Sequence, residues 1–294
     1  MIEDRSASSR LLTVFSYTSL AVFTVICLLP IWLVVIASFT SEDSIVTHGY
    51  RLWTENWSVE AYRYVLRGSG MRASYGVSIL VTTVGTLGSL MIMSGLAYVL
   101  SARHFKGRNK LAFYVYFTMI LSGGLVPWYI TMRMLHLMNN IWALIVPMLV
   151  NPWWVLVLRN FFSQLPAEVM EAARIDGASD AQILFRVVLP LSLPAMATVG
   201  LFMAVAYWND WFHGVMLLPL ANFRPLATLL LRMMRQLRAI EEAIRLGADV
   251  PIVEVPALSV RMATTVITVG PIILVYPFVQ RYFIQGLTLG SVKG

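Results

Sequence analysis

Acidic and small side chains are concentrated in the longest polar interval of an otherwise apolar second half, residues 165–190. Pro166 suits the first position of a helix. Glu171 follows within the first turns, where the positive end of the helix dipole stabilises a carboxylate. Gly177 is expected to end the helix, because glycine adopts the left-handed conformation without a Cβ penalty. Ser179 then has the spacing of a capping box for a second helix. These residues predict a helix, a glycine corner and a helix, with charges suited to binding another surface.

Ala172 and Ala173 leave one face of the first helix with little side-chain bulk, so that another surface can approach it closely. The DNA-binding helix-turn-helix has the same outline. Only Arg174 and Arg186 are basic in this interval, however, and a phosphate-binding surface needs more positive charge. We therefore predict a docking hairpin, with a plain helical hairpin in a loop as the alternative.

Motifs for bond-making chemistry do not occur in the sequence. We find no phosphate-binding loop, zinc-protease motif or hydrolase serine motif. The single cysteine, Cys27, excludes a disulfide within the chain. The histidines match no metal-ligand spacing and are His48, His104, His136 and His213. We therefore predict that this chain is not an enzyme and holds no metal.

The composition indicates a membrane protein, because 58% of the residues are hydrophobic and only 13% are charged, against about 25% charged in soluble domains. About 20 apolar residues cross the hydrocarbon core, and uncharged intervals predict an all-α, polytopic fold with six spans. The expected spans are 11–40, 73–102, 111–132, 137–158, 187–209 and 262–280. The first apolar run is too long for a cleaved signal peptide. A tail (1–10) would precede a single domain (11–294), with a hairpin-bearing loop at 159–186 and a second large loop at 210–261.

The positive charges favour cytoplasmic termini, although the two sides carry eleven Lys and Arg each. Short loops near the membrane decide orientation. Arg103, Lys106, Arg108 and Lys110 lie in one such loop, whereas Arg133 is alone in the opposing one. The net charge of +7 is therefore expected to serve topology and lipid contacts and not nucleic acid.

Helix-breaking residues interrupt two predicted spans. The run Ser122–Pro127 would either line a water-filled cavity or let helices pack closely through its glycines. Pro190 and Pro194 are expected to kink the start of span five.

Aromatic residues gather toward the predicted outer ends of spans three to five: Trp128, Trp142, Tyr207, Trp208 and Trp211. An aromatic belt at the lipid headgroups explains such residues. Aromatic faces also stack on sugar rings, so these five are candidate residues of a substrate path.

The polar interval also carries a family resemblance. Glu171-Ala172-Ala173, three residues, Gly177, nine residues and then 187–190 (VVLP) resembles the EAA loop of binding-protein-dependent ABC importer permeases, with Val187 where isoleucine is usual. The carboxyl-terminal run 280–294 resembles carbohydrate permeases of the maltose-transporter class. The similarity covers nearly the whole chain and is loosest before residue 70 and at 220–260.

The resemblance implies one of two related permease subunits in the cytoplasmic (inner) membrane, served by two ATP-binding subunits and an extracytoplasmic substrate-binding protein. The transported substrate would be a sugar, and ATP and Mg²⁺ would be held by the partner subunits, leaving this chain without a cofactor. The hairpin would lie inside and bind the ATPases through a coupling helix, and the tail 286–294 could reach the same interface. The implied coupling residues are Glu171, Ala172, Ala173, Asp176 and Gly177.

A basic amphipathic helix is predicted within 223–249, and it carries Arg232, Arg235 and Arg238. These arginines would contact lipid headgroups or an acidic face of the binding protein. Alternatively, they would attract an anionic oligosaccharide of the alginate type, which some importers of this class carry.

Two other functions remain as alternatives. An ion-coupled secondary carrier usually has charged groups inside its spans, and the predicted span interiors contain no Asp, Glu, Lys or Arg. A membrane scaffold subunit that transports nothing is the second alternative.

Overall fold

The computed structural model describes residues 7–67, 70–102, 104–247, 258–271 and 273. Throughout these ranges the regular structure is helical, and the one β-type contact is an isolated antiparallel bridge between Thr40 and Trp57. The predicted all-α class is therefore confirmed for the described part of the chain.

The first four helices are α1 (Ala7–Ser38), α2 (Glu42–His48), α3 (Glu60–Arg67) and α4 (Met71–Ser101). Next come α5 (Arg108–Ile120), α6 (Leu125–Met134), two 3₁₀ turns (Ile141–Leu144 and Val146–Met148) and α7 (Pro152–Phe162). The hairpin region contains α8 (Ala167–Ile175), α9 (Asp180–Ile183), a π turn (Leu184–Val188) and α10 (Leu189–Leu191). The remaining helices are α11 (Leu193–Trp208), α12 (Phe212–Leu217), α13 (Leu226–Arg245) and α14 (258–271).

Two helices are long and apolar enough to cross a membrane unbroken, Leu12–Ser38 and Met71–Ser101. They correspond to predicted spans one and two. Three further spans result if each of three bent helix pairs is counted as one, which brings the number to five at most within the described residues. Predicted span six begins in α14, and its remainder lies outside the described residues.

Predicted span three is divided in two, because α5 and α6 are inclined by 116° to one another. The division falls at the predicted helix-breaking run, where Gly124 has φ +81°. A Cβ at Gly124 would meet nothing within 4 Å. Within the described residues, therefore, this glycine serves the backbone conformation and not close helix packing.

Predicted span four is also broken, with 49° between the 3₁₀ turns and α7. Asn140 and Asn151 each accept a hydrogen bond from a backbone N–H two residues ahead, at 3.2 and 3.0 Å. Pro152 follows the second asparagine at the first position of α7. Side-chain capping and a proline with a preset φ restart the helix here, and the sequence prediction of one continuous helix missed this break.

The expected kink in span five is present between α10 and α11, where the axis turns by 86°. Pro190 and Pro194 lie on either side of Ser192, where the helix bends. Neither proline can donate a backbone hydrogen bond to the preceding turn, which weakens the helix at this point. Ser192 is fully buried there.

The described residues divide into two compact units by their internal contacts, one within Met1–Ser69 and Met234–Gly270 and the other within Gly70–Met233 and Pro271–Gly294. In the second unit, α4, α7 and α11 pack together around buried residues such as Met93, Ala97, Val155, Leu158 and Val199. The first unit includes a clip in which the Glu42 carboxylate accepts hydrogen bonds from Leu258 N, Ser259 N and Ser259 Oγ at 2.7–2.8 Å. The clip caps the start of α14.

Candidate coupling hairpin and substrate path

The hairpin forms as the sequence predicted, with small shifts at its ends. Pro166 is the residue before α8 and not its first residue. Gly177 has φ +79°, and Ala178 N donates to Ala173 O at 3.0 Å as the chain leaves the helix. This six-to-one bond with a left-handed glycine is the Schellman ending of a helix.

The second helix of the hairpin begins with the predicted capping box. Ser179 Oγ accepts from Gln182 N at 3.3 Å, and Gln182 Oε1 accepts from Ser179 N at 2.8 Å. Because both ends of the corner are fixed by hydrogen bonds, the loop presents α8 in a defined orientation.

The implied coupling residues lie on the outer surface of this hairpin. Glu171, Ala172, Asp176 and Gly177 are exposed, and Ala173 is partly buried. Ile175 is 86% exposed, an unusual position for a branched apolar side chain. Small, acidic and apolar side chains are thus accessible together on this face, as the predicted docking role requires.

A polar network connects the hairpin to the end of α4. Tyr98 Oη of α4 donates to Asp180 Oδ1 of α9 at 3.0 Å, and Arg174 Nη2 of α8 donates to the same oxygen at 3.4 Å. Arg174 Nη2 also lies 3.0 Å from His104 Nδ1, and His104 Nε2 lies 3.7 Å from Asp180 Oδ2. We call these four residues the latch.

The latch geometry selects one form of His104. Arginine has no acceptor, so Nδ1 must accept from Arg174 and Nε2–H then points toward Asp180. Asp180 lies at the exposed start of α9, ahead of the predicted span, and the hydrogen bond from Tyr98 is the main cause of a lowered pKa for its carboxyl, against partial burial. The carboxylate therefore stays ionised and holds both neighbours.

The five aromatic residues of the predicted substrate path occupy different environments. Tyr207 is 2% exposed, and its hydroxyl donates to Ile145 O at 3.1 Å within the core of its unit. Trp208 is also mostly buried, but it lines an open apolar cavity of about 260 Å³ together with Tyr75 and Leu201. Trp142 and Trp211 are about half exposed.

Trp128 belongs to a polar and aromatic cluster after α11. Its ring lies 5.5 Å from that of Phe212 and 5.4 Å from that of His213. His213 Nδ1 and Asp210 Oδ2 are 2.9 Å apart, and both side chains are largely buried. This acid–imidazole pair orients the ring against Trp128 and was not anticipated from the sequence.

The three arginines of the amphipathic helix are all exposed on α13. Upstream, burial lowers the pKa of Arg224, and the positive charge of Arg232 lowers it further. The charge of Arg232 therefore reaches Arg224, the arginine that precedes this helix.

Comparison with known proteins decides the family. Residues 4–289 match the family described as the binding-protein-dependent transport system inner membrane component. The chain belongs to this family of ABC transporter permeases. The permease is 38% identical over 291 residues, 97% of its length and 99% of the relative's, to the "Polygalacturonan/rhamnogalacturonan transport system permease protein YtcP" of Bacillus subtilis.

Two further similarities concern other sugar transporters. The permease is 28% identical over 274 residues to the "Arabinooligosaccharides transport system permease protein AraQ" of Halalkalibacterium halodurans, covering 92% of each chain. A solved structure of "a bacterial ABC transporter involved in the import of the acidic polysaccharide alginate" matches with a TM-score of 0.81 and 32% identity, over 95% of the permease and 98% of that chain.

Several residues of the permease escaped prediction because their roles depend on distant partners. Tyr98 and Asp180 are 82 positions apart, and Glu42 contacts residues more than 200 positions away. The exposure of Ile175 could have been inferred from its place on the helical face that carries Glu171 and Ala172.

Proposed function

We propose that this chain is one of two permease subunits of an ATP-driven importer that moves an oligosaccharide across the cytoplasmic membrane by alternating access. The observation that carries this proposal is the hairpin, which exposes Glu171 and Ile175 outward while the latch connects it to α4. Sugar names among the relatives support the substrate class.

ATP and Mg²⁺ would be bound by two partner ATPase subunits, and this chain would need no cofactor of its own. Closure of the ATPases would push on the exposed face of α8. Because Asp180 binds both Arg174 and Tyr98, the push would reach α4, and through it the packed helices α7 and α11. Hydrogen-bond networks and packed helices are the kind of connection through which two sites can be coupled.

The remaining partners would be a second, related permease and an extracytoplasmic substrate-binding protein. Both termini and the hairpin would face the cytoplasm, with the loop 210–261 outside. The exposed Trp142 and Trp211 would be the accessible members of the substrate path, whereas Tyr207 would support that path from the core.

An acidic oligosaccharide is the substrate that the observations favour. The structural neighbour is described as importing an acidic polysaccharide, and the B. subtilis relative is named for polygalacturonan. The exposed Arg232, Arg235 and Arg238 would provide the matching charge.

The proposal is tested in vesicles that contain the permease pair and its ATPases. Glu171→Ala removes a docking charge, and Gly177→Val forces a β-branched residue to positive φ. We expect ATP hydrolysis to continue while sugar uptake falls in both variants, and Glu168→Ala, on the same exposed helix, to act as the control. Undiminished uptake in both test variants would overturn the coupling assignment.

A further inference from the structure

A polar pocket lies where α4 ends, beside the hairpin. It has a volume of about 270 Å³ and is formed by the last turn of α4, the first turn of α5, the end of α7 and one side of α8, which includes Glu171. Its polar lining includes Ser101, Arg108, Asn109, Arg159, Ser163 and Glu171. We call it the rim pocket.

Two guanidinium groups in the rim pocket have no acidic side chain within ion-pair distance among the described residues. Arg108 and Arg159 are partly buried, and the ion pairs formed among the described residues include neither of them. Arg174, which also lines the pocket, is engaged by Asp180. Partly buried charges without a partner are unfavourable, so these two arginines favour an anion between the helices.

The helix dipole makes Arg108 more informative than Arg159. Arg159 lies in the last turn of α7, where a cation is favoured. Arg108 is the first residue of α5, and the first turn of that helix has no acidic residue. A cation at the positive end of a helix is repelled, whereas an anion there would be attracted by both the dipole and the side chain.

The hydrogen-bond donors available to an anion are guanidinium and amide groups. Ser101 Oγ and Ser163 Oγ already donate to the carbonyls of Tyr98 and Arg159, each at 2.8 Å. Arginine forks bind phosphate oxygens in pairs. With Glu171 at the exposed mouth offsetting one of the two unpaired arginines, the pocket has one net positive charge. That charge matches a singly charged phosphodiester better than free phosphate.

The surroundings point to a phosphodiester that carries acyl chains. The pocket lies at the end of a 31-residue apolar helix, about 46 Å long at the usual rise, so it lies where a spanning helix leaves the membrane. Further along α5, the stacked rings of Phe113 and Phe117 are exposed. Acyl chains could lie on these rings while the headgroup enters the pocket.

We propose that the rim pocket binds the headgroup of an anionic phospholipid. The proposal requires only that the chain lies in a membrane, and it stands or falls independently of which sugar is transported. Headgroup binding would also stabilise α8, which carries the latch residue Arg174, against α7 and so bear on coupling.

The test uses the full-length permease pair, first without and then with its ATPase subunits, in phosphatidylcholine nanodiscs that contain a photoreactive phosphatidylglycerol. In wild-type protein we expect crosslinks to map to the last turn of α4, to residues 108–109 and to residues 159–163. The double substitution Arg108→Gln/Arg159→Gln should weaken phosphatidylglycerol binding by about tenfold or more, because it removes charge-assisted hydrogen bonds. The matched control is Lys106→Gln/Lys110→Gln, which removes two exposed positive charges next to the pocket.

Three results would overturn the proposal. Crosslinks spread evenly over the lysine and arginine residues around the rim pocket would mean that the lipid is attracted by positive charge in general. Competition by inorganic phosphate as effective as competition by unlabelled phosphatidylglycerol would mean that the site takes free anions. Loss of binding once the ATPase subunits are added would mean that a protein partner fills the pocket. Because the crosslinking uses unaltered protein, misfolding of a variant leaves the test intact.

Discussion

The ring of Tyr207 lies directly against Gly85: a Cβ built on Gly85 would come within 2.6 Å of the ring's Cζ atom. The Tyr207 hydroxyl donates to Ile145 O at 3.1 Å, and Ser89 Oγ lies 3.0 Å away as its remaining partner. One side chain thus connects α11, α4 and the residue between the two 3₁₀ turns, and it needs a glycine on α4 to fit.

Gly85→Ala is therefore expected to destabilise the permease by about 1–3 kcal/mol, because overpacking a tight contact forces neighbours to move. Gly76→Ala on the same helix is the control, since a Cβ there meets nothing within 4 Å and alanine favours a helix. Thermal unfolding of the purified protein measures both. Equal stability of the two variants would mean that the Tyr207 contact does not restrict residue 85.

Local signals in the sequence were sufficient for the hairpin. Gly177, Ser179 and Gln182 act through neighbours a few residues away, so spacing alone identified the corner and the capping box. Hydropathy likewise located the apolar segments, because lipid selects composition over about 20 residues.

Sequence patterns could not give the bends or the long-range contacts. The breaking residues between α5 and α6 were visible, but their spacing does not give the 116° angle between the two helices. The residue type and sequence position of Tyr207 are those of an aromatic-belt residue. Only its packing on Gly85 shows that it lies in a core. Pairs such as Tyr98 and Asp180 carry no local signature.

Tyr98→Phe is expected to reduce sugar uptake per ATP hydrolysed by roughly tenfold, because a hydrogen bond to a charged group is worth about 1.5–3 kcal/mol and this one holds the hairpin to α4. Hydrolysis itself should persist. Tyr114→Phe, at an exposed position on α5, is the control. A parallel decline of uptake and hydrolysis would indicate a folding defect instead.

The same latch predicts a pH dependence for wild-type coupling. The hydrogen bond from Tyr98 lowers the pKa of Asp180, so its contribution is fully present above the ordinary aspartate pKa and is lost as pH falls through the lowered one. The contribution of the Asp180 carboxylate should therefore be constant near neutral pH, whereas Asp180→Asn should be impaired there already. Measuring uptake per ATP hydrolysed in both proteins, from acidic to neutral pH, shows whether the variant differs from the wild type at neutral pH.

Glu42→Gln is expected to destabilise the unit that contains α14 by about 1–2 kcal/mol, because a capping carboxylate is replaced by a neutral amide. The native carboxylate accepts from Leu258 N, Ser259 N and Ser259 Oγ. Asp43→Asn, on the adjacent exposed residue, removes the same charge without the contacts. Limited proteolysis near the start of α14 should accelerate in the first variant only.

Sidedness is tested with single cysteines in a Cys27→Ala background. Ala172→Cys lies on the exposed hairpin and should resist an impermeant thiol reagent added outside spheroplasts. Ala239→Cys on α13 is exposed too and should react. Ala172 is preferable to Ser179 because the Ser179 hydroxyl caps α9. Labelling at 172 but not at 239 would invert the proposed topology.

The basic surface of α13 provides the test of substrate charge. Replacing Arg232, Arg235 and Arg238 together with Gln should slow uptake of an acidic oligosaccharide more than that of a neutral one. A positive field raises the local concentration of an anion, and salt screens that field over about 10 Å at 0.1 M. The wild-type advantage should therefore shrink as ionic strength rises.

The matched control for this test replaces three other exposed arginines, Arg51, Arg63 and Arg67, which the predicted topology puts on the same side of the membrane. It removes the same charge from a different loop, so any effect of total charge would appear in both variants. If the α13 variant slows neutral and acidic sugars equally at every salt concentration, its arginines bind a protein or the lipid surface and do not select the substrate. A selective, salt-sensitive loss confined to the α13 variant would instead place substrate attraction on this helix.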